Sequence, residues 1–170
     1  MIFNKVLASE DCYNKDSHFC RHAVRAIVLK DNKLLMIYTC KGDYKFPGGG
    51  IEQGESHYEA LRREVIEETG YHIEKVSELV GVVIEKKPDD FDSTKIFEMR
   101  SYYYLCHIGR RQIEQTLDDY EAEQDFKPIW ISLNEALEKN YELIKNYKNA
   151  LNSWAIRETF VMQELKNNLN

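Results

Sequence analysis

GGIEQGESHYEALRREVIEETGY, from Gly49 to Tyr71, joins a glycine-rich turn to a helix that carries several carboxylates. Ser56 and Glu59 have the spacing of a capping box, in which each side chain satisfies a backbone donor at a helix start. Gly70 suits the left-handed position just after a helix end. We therefore predict a helix from His57 to about Thr69.

Three glutamates of this helix, Glu64, Glu67 and Glu68, stand at positions i, i+3 and i+4 and so share one face. Like charges at this spacing repel each other, and a divalent cation would compensate, because Mg2+ and Mn2+ prefer oxygen ligands. Taken alone, the three glutamates are more typical of a solvated helix face. Three glycines, Gly48 to Gly50, precede the helix and let the backbone approach a ligand closely, which favours the metal site.

The order of residues in this stretch resembles the signature of the Nudix hydrolases, G-x5-E-x7-R-E-U-x-E-E-x-G-U, where U is a bulky apolar residue. Every glycine, glutamate and arginine of that box is present, and the one departure is Tyr71, where the family usually has Ile, Leu or Val. The resemblance implies an α+β chain with the Nudix fold, an α/β/α sandwich with a mixed β-sheet. We predict a single Nudix hydrolase domain over residues 1–170, with a core at about 20–137 and a C-terminal helical extension at about 138–170.

The resemblance also implies a chemistry. Nudix hydrolases cleave the pyrophosphate of a nucleoside diphosphate linked to another group, by attack of water on phosphorus with the help of Mg2+ or Mn2+. Glu55 and Arg63 would orient the metal-binding carboxylates, and Glu64 and Glu67 would act in catalysis. The implied metal ligands are the carbonyl of Gly48 and the carboxylates of Glu64, Glu67 and Glu68.

The general base has several candidates, because some Nudix enzymes use a glutamate of the box and others use one from a later loop. Glu121 and Glu123 lie in such a later segment, and Glu98 is a third candidate. We name Glu123, which stands seven residues before Trp130, where family members often carry an acidic residue. Glu121 stays open as the alternative.

The substrate is not determined by the box. By size and simplicity, we predict a nucleoside triphosphate, including an oxidised one such as 8-oxo-dGTP. ADP-ribose or a nucleotide sugar is an alternative, and Pro88 lies close to, but not at, the position associated with ADP-ribose hydrolases. A Nudix-like domain can also be a nucleotide sensor without hydrolysis, although such domains commonly lose box glutamates that this chain retains.

Composition limits the partners. The chain has 170 residues and a mass of 20.1 kDa, which suits one domain. A formal charge of -6 argues against general affinity for nucleic acid polymers. No apolar run approaches the roughly 20 residues of a membrane span, and the N-terminus lacks the pattern of a signal peptide. We therefore expect a cytoplasmic protein that binds a small-molecule nucleotide and neither nucleic acid polymers nor membranes.

Two further segments have alternative interpretations. Residues 141–169 are typical of one or two helices that pack on the domain, and a homodimer contact or a cap over the substrate pocket are the alternatives. Zinc-binding side chains occur close together near the N-terminus, but their spacing C-x5-H-x-C-x-H matches no common structural zinc site. We favour ordinary buried cysteines there. The residues concerned are Cys12, His18, Cys20 and His22.

Overall fold

The computed structural model describes residues 1–9, 12, 17–89, 91–92, 94–147 and 154–168, and for Ser17 and His18 it describes the backbone alone. The strands are β1 (Phe3–Ala8), β2 (Ser17–Ile27), β3 (Leu29–Lys30), β4 (Lys33–Tyr38), β5 (Tyr44–Lys45), β6 (Tyr71–Pro88), β7 (Lys95–Gln112) and β8 (Lys127–Ser132). The helices are α1 (His57–Thr69), α2 (Asp119–Glu123), α3 (Leu133–Asn146) and α4 (Ala155–Asn168).

The strands of the described residues form two four-stranded sheets. The first has the order β1-β6-β7-β2, in which β1 runs parallel to β6, β6 antiparallel to β7, and β2 parallel to β7. The second has the order β3-β4-β5, and β8 pairs with β4 in antiparallel fashion. Parallel and antiparallel pairs occur together, so the predicted mixed β-sheet is confirmed.

Helices cover opposite faces of the strands. Val24 and Ala26 of β2 pack in one apolar cluster with Leu61 of α1. Ile27 of the same strand packs in a second cluster, with Met162 of α4. Because successive side chains of a strand point to opposite faces, the sheet residues lie between two helical layers. This arrangement is the predicted α/β/α sandwich.

The described part of the C-terminal extension is integral to the core. Val161, Met162 and Leu165 of α4 are buried in the second cluster, so the predicted packing of this helix on the domain is observed. Residues 148–153 and 169–170 of the predicted extension lie outside the described residues. Within the described residues, each helix is too short or too polar to cross a lipid bilayer.

Candidate active site

Helix α1 positions the carboxylates of the site and has the predicted bounds. The Glu59 amide donates to the Ser56 hydroxyl at 3.3 Å, and the Ser56 amide donates to the Glu59 carboxylate at 2.8 Å. Gly70 follows the helix with φ 73°, and a Cβ there would lie 2.0 Å from the carbonyl oxygen of Ile113. Both ends are therefore fixed by local contacts, which determines the direction of every side chain between them.

Arg63 joins the glycine-rich turn to this helix. Its Nε and Nη2 donate to the two carboxylate oxygens of Glu55, at 2.7 and 2.8 Å. Nη2 also donates to the Gly50 carbonyl at 3.0 Å, and Nη1 donates to Glu64 Oε1 at 2.8 Å. Hydrogen bonds from Arg63 lower the pKa of Glu55 to about 2, so this carboxylate is ionised at neutral pH. Arg63 and Glu55 thus have the geometry expected of orienting residues.

Three carboxylates converge beside the turn. One oxygen from each of Glu64, Glu68 and Glu121 lies within 4.8 Å of the other two. Glu64 and Glu68 are buried, at 7% and 0% exposure, and Glu121 is half-buried. Removal from water raises the pKa of all three carboxyls, and the charge of Glu68 raises that of Glu64 further. A cation bound among them would offset this electrostatic cost.

The donor set suits a hard divalent cation. Carboxylate oxygens are the ligands that Mg2+ and Mn2+ prefer. The turn is also shaped around the cluster, because a Cβ on Gly49 would lie 2.3 Å from Glu64 Oε2. Among the side chains that the structure describes, Glu64, Glu68 and Glu121 are the group of His, Cys, Asp or Glu residues whose ligand atoms lie close enough to bind one ion.

Glu68 is held from two sides. Lys45 Nζ donates to Glu68 Oε1 at 2.6 Å, and the Gly48 amide donates to Oε2 at 2.7 Å. Gly48 has φ 132°, and a Cβ there would lie 2.2 Å from the carbonyl oxygen of Val24. Gly48 therefore contacts the cluster through its amide. The metal contact predicted for its carbonyl stays a prediction.

Two of the predicted residues lie outside the three-carboxylate cluster. The Glu67 side chain is 38% exposed and accepts from Arg63 Nη1 at 3.3 Å. Glu123, which we named as the base from the sequence, is exposed at the end of α2, and the structure brings Glu121 to the cluster instead. Two residues along a helix turn a side chain by roughly 200°, so both cannot face the same carboxylates. Glu98, on β7, forms ion pairs with Lys86 and Arg100 instead.

A signal for Glu121 was present in the sequence. Asp118 and Glu121 form a capping box at the start of α2, with the Glu121 amide donating to Asp118 Oδ1 at 2.7 Å and the Asp118 amide donating to Glu121 Oε2 at 3.1 Å. This Asp-x-x-Glu spacing fixes Glu121 in the first turn of the helix. The spacing would have distinguished the position of Glu121 on the helix from that of Glu123.

Comparison with known proteins agrees with this geometry. The model of the NUDIX domain family matches residues 21–151. The chain belongs to the Nudix family. It is 48% identical over 64 residues to the ADP-ribose pyrophosphatase of Methanocaldococcus jannaschii, a match that covers 35% of this chain and 37% of that relative. It is 30% identical over 125 residues to the probable DHNTP pyrophosphohydrolase of Lactococcus lactis subsp. cremoris, over 73% of this chain and 70% of the relative.

The Nudix fold is also found in similar solved structures. The crystal structure of the MutT NUDIX hydrolase from Burkholderia pseudomallei superposes with a TM-score of 0.54 at 21% identity, over 68% of this chain and 85% of that one. The predicted family and fold are therefore confirmed. The family match and the names of both curated relatives support the predicted enzyme class, a hydrolase that acts on phosphoric anhydrides.

Two depressions border Glu64 of the Nudix box. We name the first, of about 340 Å³, the inner cavity, and the second, of about 500 Å³, the outer groove. Glu64 and Glu121 line both. The inner cavity is also lined by Arg25, Lys45, Glu68, Phe126 and Trp154, and the outer groove by Glu52, Arg63, Glu67 and Thr116.

Trp154, immediately before α4, is a cavity residue that the sequence did not reveal. Its Nε1 donates to Asp43 Oδ2 at 2.6 Å, and its ring packs edge-on against Phe126 at a centroid distance of 6.4 Å. Asp43 and Trp154 are 111 residues apart in the chain, so no local pattern connects them. The residue that precedes α4 therefore lines the inner cavity, and a cap over the substrate pocket stays a prediction.

Lys45 and Arg25 are two further cavity residues that were not predicted. Lys45 Nζ lies 4.3 Å from the centroid of the Phe126 ring, in addition to its bond with Glu68. Arg25 is a charged residue within the otherwise apolar segment Val24 to Ile27. A charged residue in a buried strand was the signal in the sequence for Arg25, because buried charged side chains without a partner are rare.

The N-terminal cysteines and histidines give a mixed result. Cys12 is buried, and its Sγ lies 3.2 Å from Ser9 Oγ. Cys20 is exposed, with its Sγ 3.6 Å from His22 Nε2. The side chain of His18 lies outside the described residues. Burial, which we favoured over zinc binding, thus holds for Cys12 and not for Cys20.

Proposed function

We propose that this Nudix chain is a pyrophosphohydrolase that uses Mg2+ or Mn2+ to cleave a nucleoside diphosphate linked to another group. The observation that carries the proposal is the convergence of Glu64, Glu68 and Glu121 at the inner cavity, where Glu64 and Glu121 also line the outer groove. In a substrate that occupies both depressions, the bond between its two parts would lie next to these carboxylates. The proposed metal ligands are Gly48, Glu64, Glu67 and Glu68.

The charges of the site suit this reaction. When bound, the divalent cation supplies positive charge that neutralises the pyrophosphate and favours deprotonation of the attacking water. Glu64 and Glu68 would hold it through carboxylate oxygens. Arg63 keeps Glu64 in place by its 2.8 Å hydrogen bond. Because both oxygens of Glu55 are bound to Arg63, the guanidinium has little freedom to turn away.

We assign the role of proton acceptor to Glu121. Burial raises its pKa, and a base is more efficient when its pKa lies nearer the working pH. Its position outside the box leaves the box glutamates free to serve as ligands. A positioned general base contributes about 10² to 10⁴ in rate, so its removal gives a measurable effect.

A nucleoside triphosphate, including an oxidised one such as 8-oxo-dGTP, is the substrate class that we propose. The inner cavity, at about 340 Å³, is near the lower limit for small-molecule sites. This size favours a compact group over a second complete nucleotide. ADP-ribose or a nucleotide sugar is the second candidate, because the 48% identical relative is an ADP-ribose pyrophosphatase, although the match spans 37% of it.

A non-hydrolytic nucleotide sensor is the alternative from a different functional class. A sensor has no need of a proton acceptor beside its metal ligands. Glu121 lies within 4.8 Å of Glu64 and Glu68 and comes from a separate helix. This arrangement supports hydrolysis.

A panel assay tests the proposal. Nucleoside triphosphates, 8-oxo-dGTP, DHNTP, ADP-ribose and a nucleotide sugar are each incubated with Mg2+, with Mn2+ or with EDTA, and products are separated by chromatography. We expect turnover of a triphosphate with metal and none with EDTA, and Glu138→Gln on the exposed face of α3 should retain the full rate. Tight binding of one nucleotide without turnover across the panel would support the sensor. Preferential cleavage of ADP-ribose would support the second candidate.

Two expectations concern the protein as a whole. A cytoplasmic location and a homodimer contact stay predictions. Sedimentation equilibrium distinguishes a monomer of 20.1 kDa from a dimer of twice that mass.

A further inference from the structure

Arg25 stands out among the residues of the inner cavity. Arg21, Ala23 and Arg25 alternate along β2 and line the cavity together, as side chains on one face of a strand do. Arg25 is 8% exposed. Its Nε and Nη1 are buried and have no hydrogen-bond partner among the described residues.

Two other cations of the site, Lys45 and Arg63, have dedicated carboxylate partners. Lys45 pairs with Glu68 at 2.6 Å, and Arg63 pairs with Glu55 at 2.7 Å. Arg25 lies near enough to Glu64 and Glu68 for its charge to oppose the rise in their pKa values, yet it forms no bond to either among the contacts described. The guanidinium is therefore held beside the carboxylates and bonded to none of them.

A buried guanidinium with unpaired donors is costly. A buried polar group without a hydrogen-bond partner destabilises the fold, and more so when the group is charged. Arg25 has no acceptor capacity, since all the nitrogens of a guanidinium are donors. A ligand that relieves the cost must bring acceptor oxygens, and an anionic ligand also neutralises the charge. Phosphoryl oxygens match the planar fork of an arginine in both respects.

We propose that Arg25 binds a phosphoryl group of the substrate in the inner cavity. This inference rests on the proposed function and specifies its substrate: a triphosphate chain whose pyrophosphate lies at Glu64 and Glu121, with a further phosphoryl group beyond it at Arg25. Nudix substrates without that further group lose the contact. The wild-type protein therefore binds inorganic triphosphate more tightly than inorganic pyrophosphate, by about tenfold or more for a charge-assisted pair.

Isothermal titration with these two inorganic anions in the presence of Mg2+ tests the proposal, and 31P NMR verifies that each probe is intact. Arg25→Gln should bind triphosphate and pyrophosphate with similar Kd values. Arg25→Lys should retain part of the preference, because it keeps the charge without the fork. Arg62→Gln, which removes an exposed charge on α1, should retain all of it.

The proposal is overturned if Arg25→Gln binds triphosphate with the wild-type Kd, or if it changes selectivity among nucleobases while triphosphate binding stays the same. Circular dichroism establishes that each variant is folded. If Arg25→Gln does not fold, Arg25→Lys decides: a reduced triphosphate preference supports the role, and an unchanged preference refutes it.

Measurements of turnover distinguish a failure of this inference from a failure of the proposed function. A wild-type protein that cleaves nucleotides, with KM unchanged in Arg25→Gln, would refute the role of Arg25 alone. A wild-type protein that cleaves nothing, yet loses triphosphate binding in Arg25→Gln, would refute hydrolysis and leave the anion site in place.

Discussion

The Phe46 amide donates a hydrogen bond to Glu158 Oε2 at 3.2 Å, which ties helix α4 to the segment that leads into the glycine-rich turn. Glu158 is fully buried and also accepts from Arg157 at 2.7 Å and from the Tyr103 hydroxyl at 3.3 Å. Phe46 is followed by Pro47 and Gly48, whose amide holds Glu68. The C-terminal helix thereby supports the backbone beside the proposed metal-binding carboxylates.

We expect Glu158→Gln to destabilise the fold by roughly 3 kcal/mol or more, because it leaves the buried Arg157 without its charge partner on α4. Urea unfolding followed by circular dichroism measures the change. Glu164→Gln on the same helix is the matched control and should unfold close to the wild-type midpoint. Equal midpoints for both variants would show that the Arg157–Glu158 pair contributes little.

Glu67 and Glu68 should respond differently to the same substitution. Glu67 is partly exposed, so Glu67→Gln should keep the wild-type stability while metal-dependent hydrolysis falls by roughly 10- to 100-fold or more. Glu68→Gln leaves Lys45 buried without its partner, so it should lose roughly 3 kcal/mol of stability as well as activity. Thermal melts and initial rates, measured on the same preparations, separate the two effects. Full activity in folded Glu67→Gln would remove Glu67 from the proposed ligands.

Glu121→Gln should lower kcat by about 10² to 10⁴. Glutamine can replace glutamate in the capping box with Asp118, so α2 should remain formed. Glu123→Gln, two residues away and exposed, is the control and should retain the wild-type kcat. The opposite result, with Glu123→Gln inactive and Glu121→Gln active, would restore the base that we named from the sequence.

The Arg63–Glu55 pair predicts a difference in acid stability. The pKa of Glu55 is about 2 in the folded protein, below the value of about 4.3 for a free glutamate. A depressed carboxyl pKa stabilises the fold above the unfolded value, and this stability is lost as the pH falls toward the folded value.

Wild type should therefore be more stable than Glu55→Gln at pH 7, and the advantage should shrink between about pH 4.3 and about pH 2. Urea unfolding of both proteins across this range gives the difference in the free energy of unfolding. A difference that does not change with pH would mean that Glu55 titrates normally in the folded state.

The box and its helix could be predicted because their determinants are local. Ser56, Glu59 and Gly70 each act within a few residues, and their spacing alone fixed the ends of α1. That Glu64 and Glu68 share one face of the helix followed from helical geometry. The predicted mixed sheet also followed, through the resemblance of the box to a family with a known fold.

The inner cavity could not be predicted, because its residues meet through tertiary contacts. Asp43 and Trp154 bond across 111 residues of sequence, and Phe46 and Glu158 across 112. Neither pair has a pattern that a single sequence displays. The family match ends at residue 151, yet Trp154, which lines the inner cavity, and Glu158, which accepts from the Phe46 amide, lie beyond it. A protein trimmed to the matched residues would lose that wall of the pocket.

Glu64 and Glu121 line both the inner cavity and the outer groove. Cleavage beside these two carboxylates would leave one product in each depression, so neither product would have to pass the other on leaving. Each product could also rebind while the opposite side is occupied. The two products of such an enzyme would therefore inhibit it while both are bound. The inhibition constant of each product would be the same whether or not the other product is present.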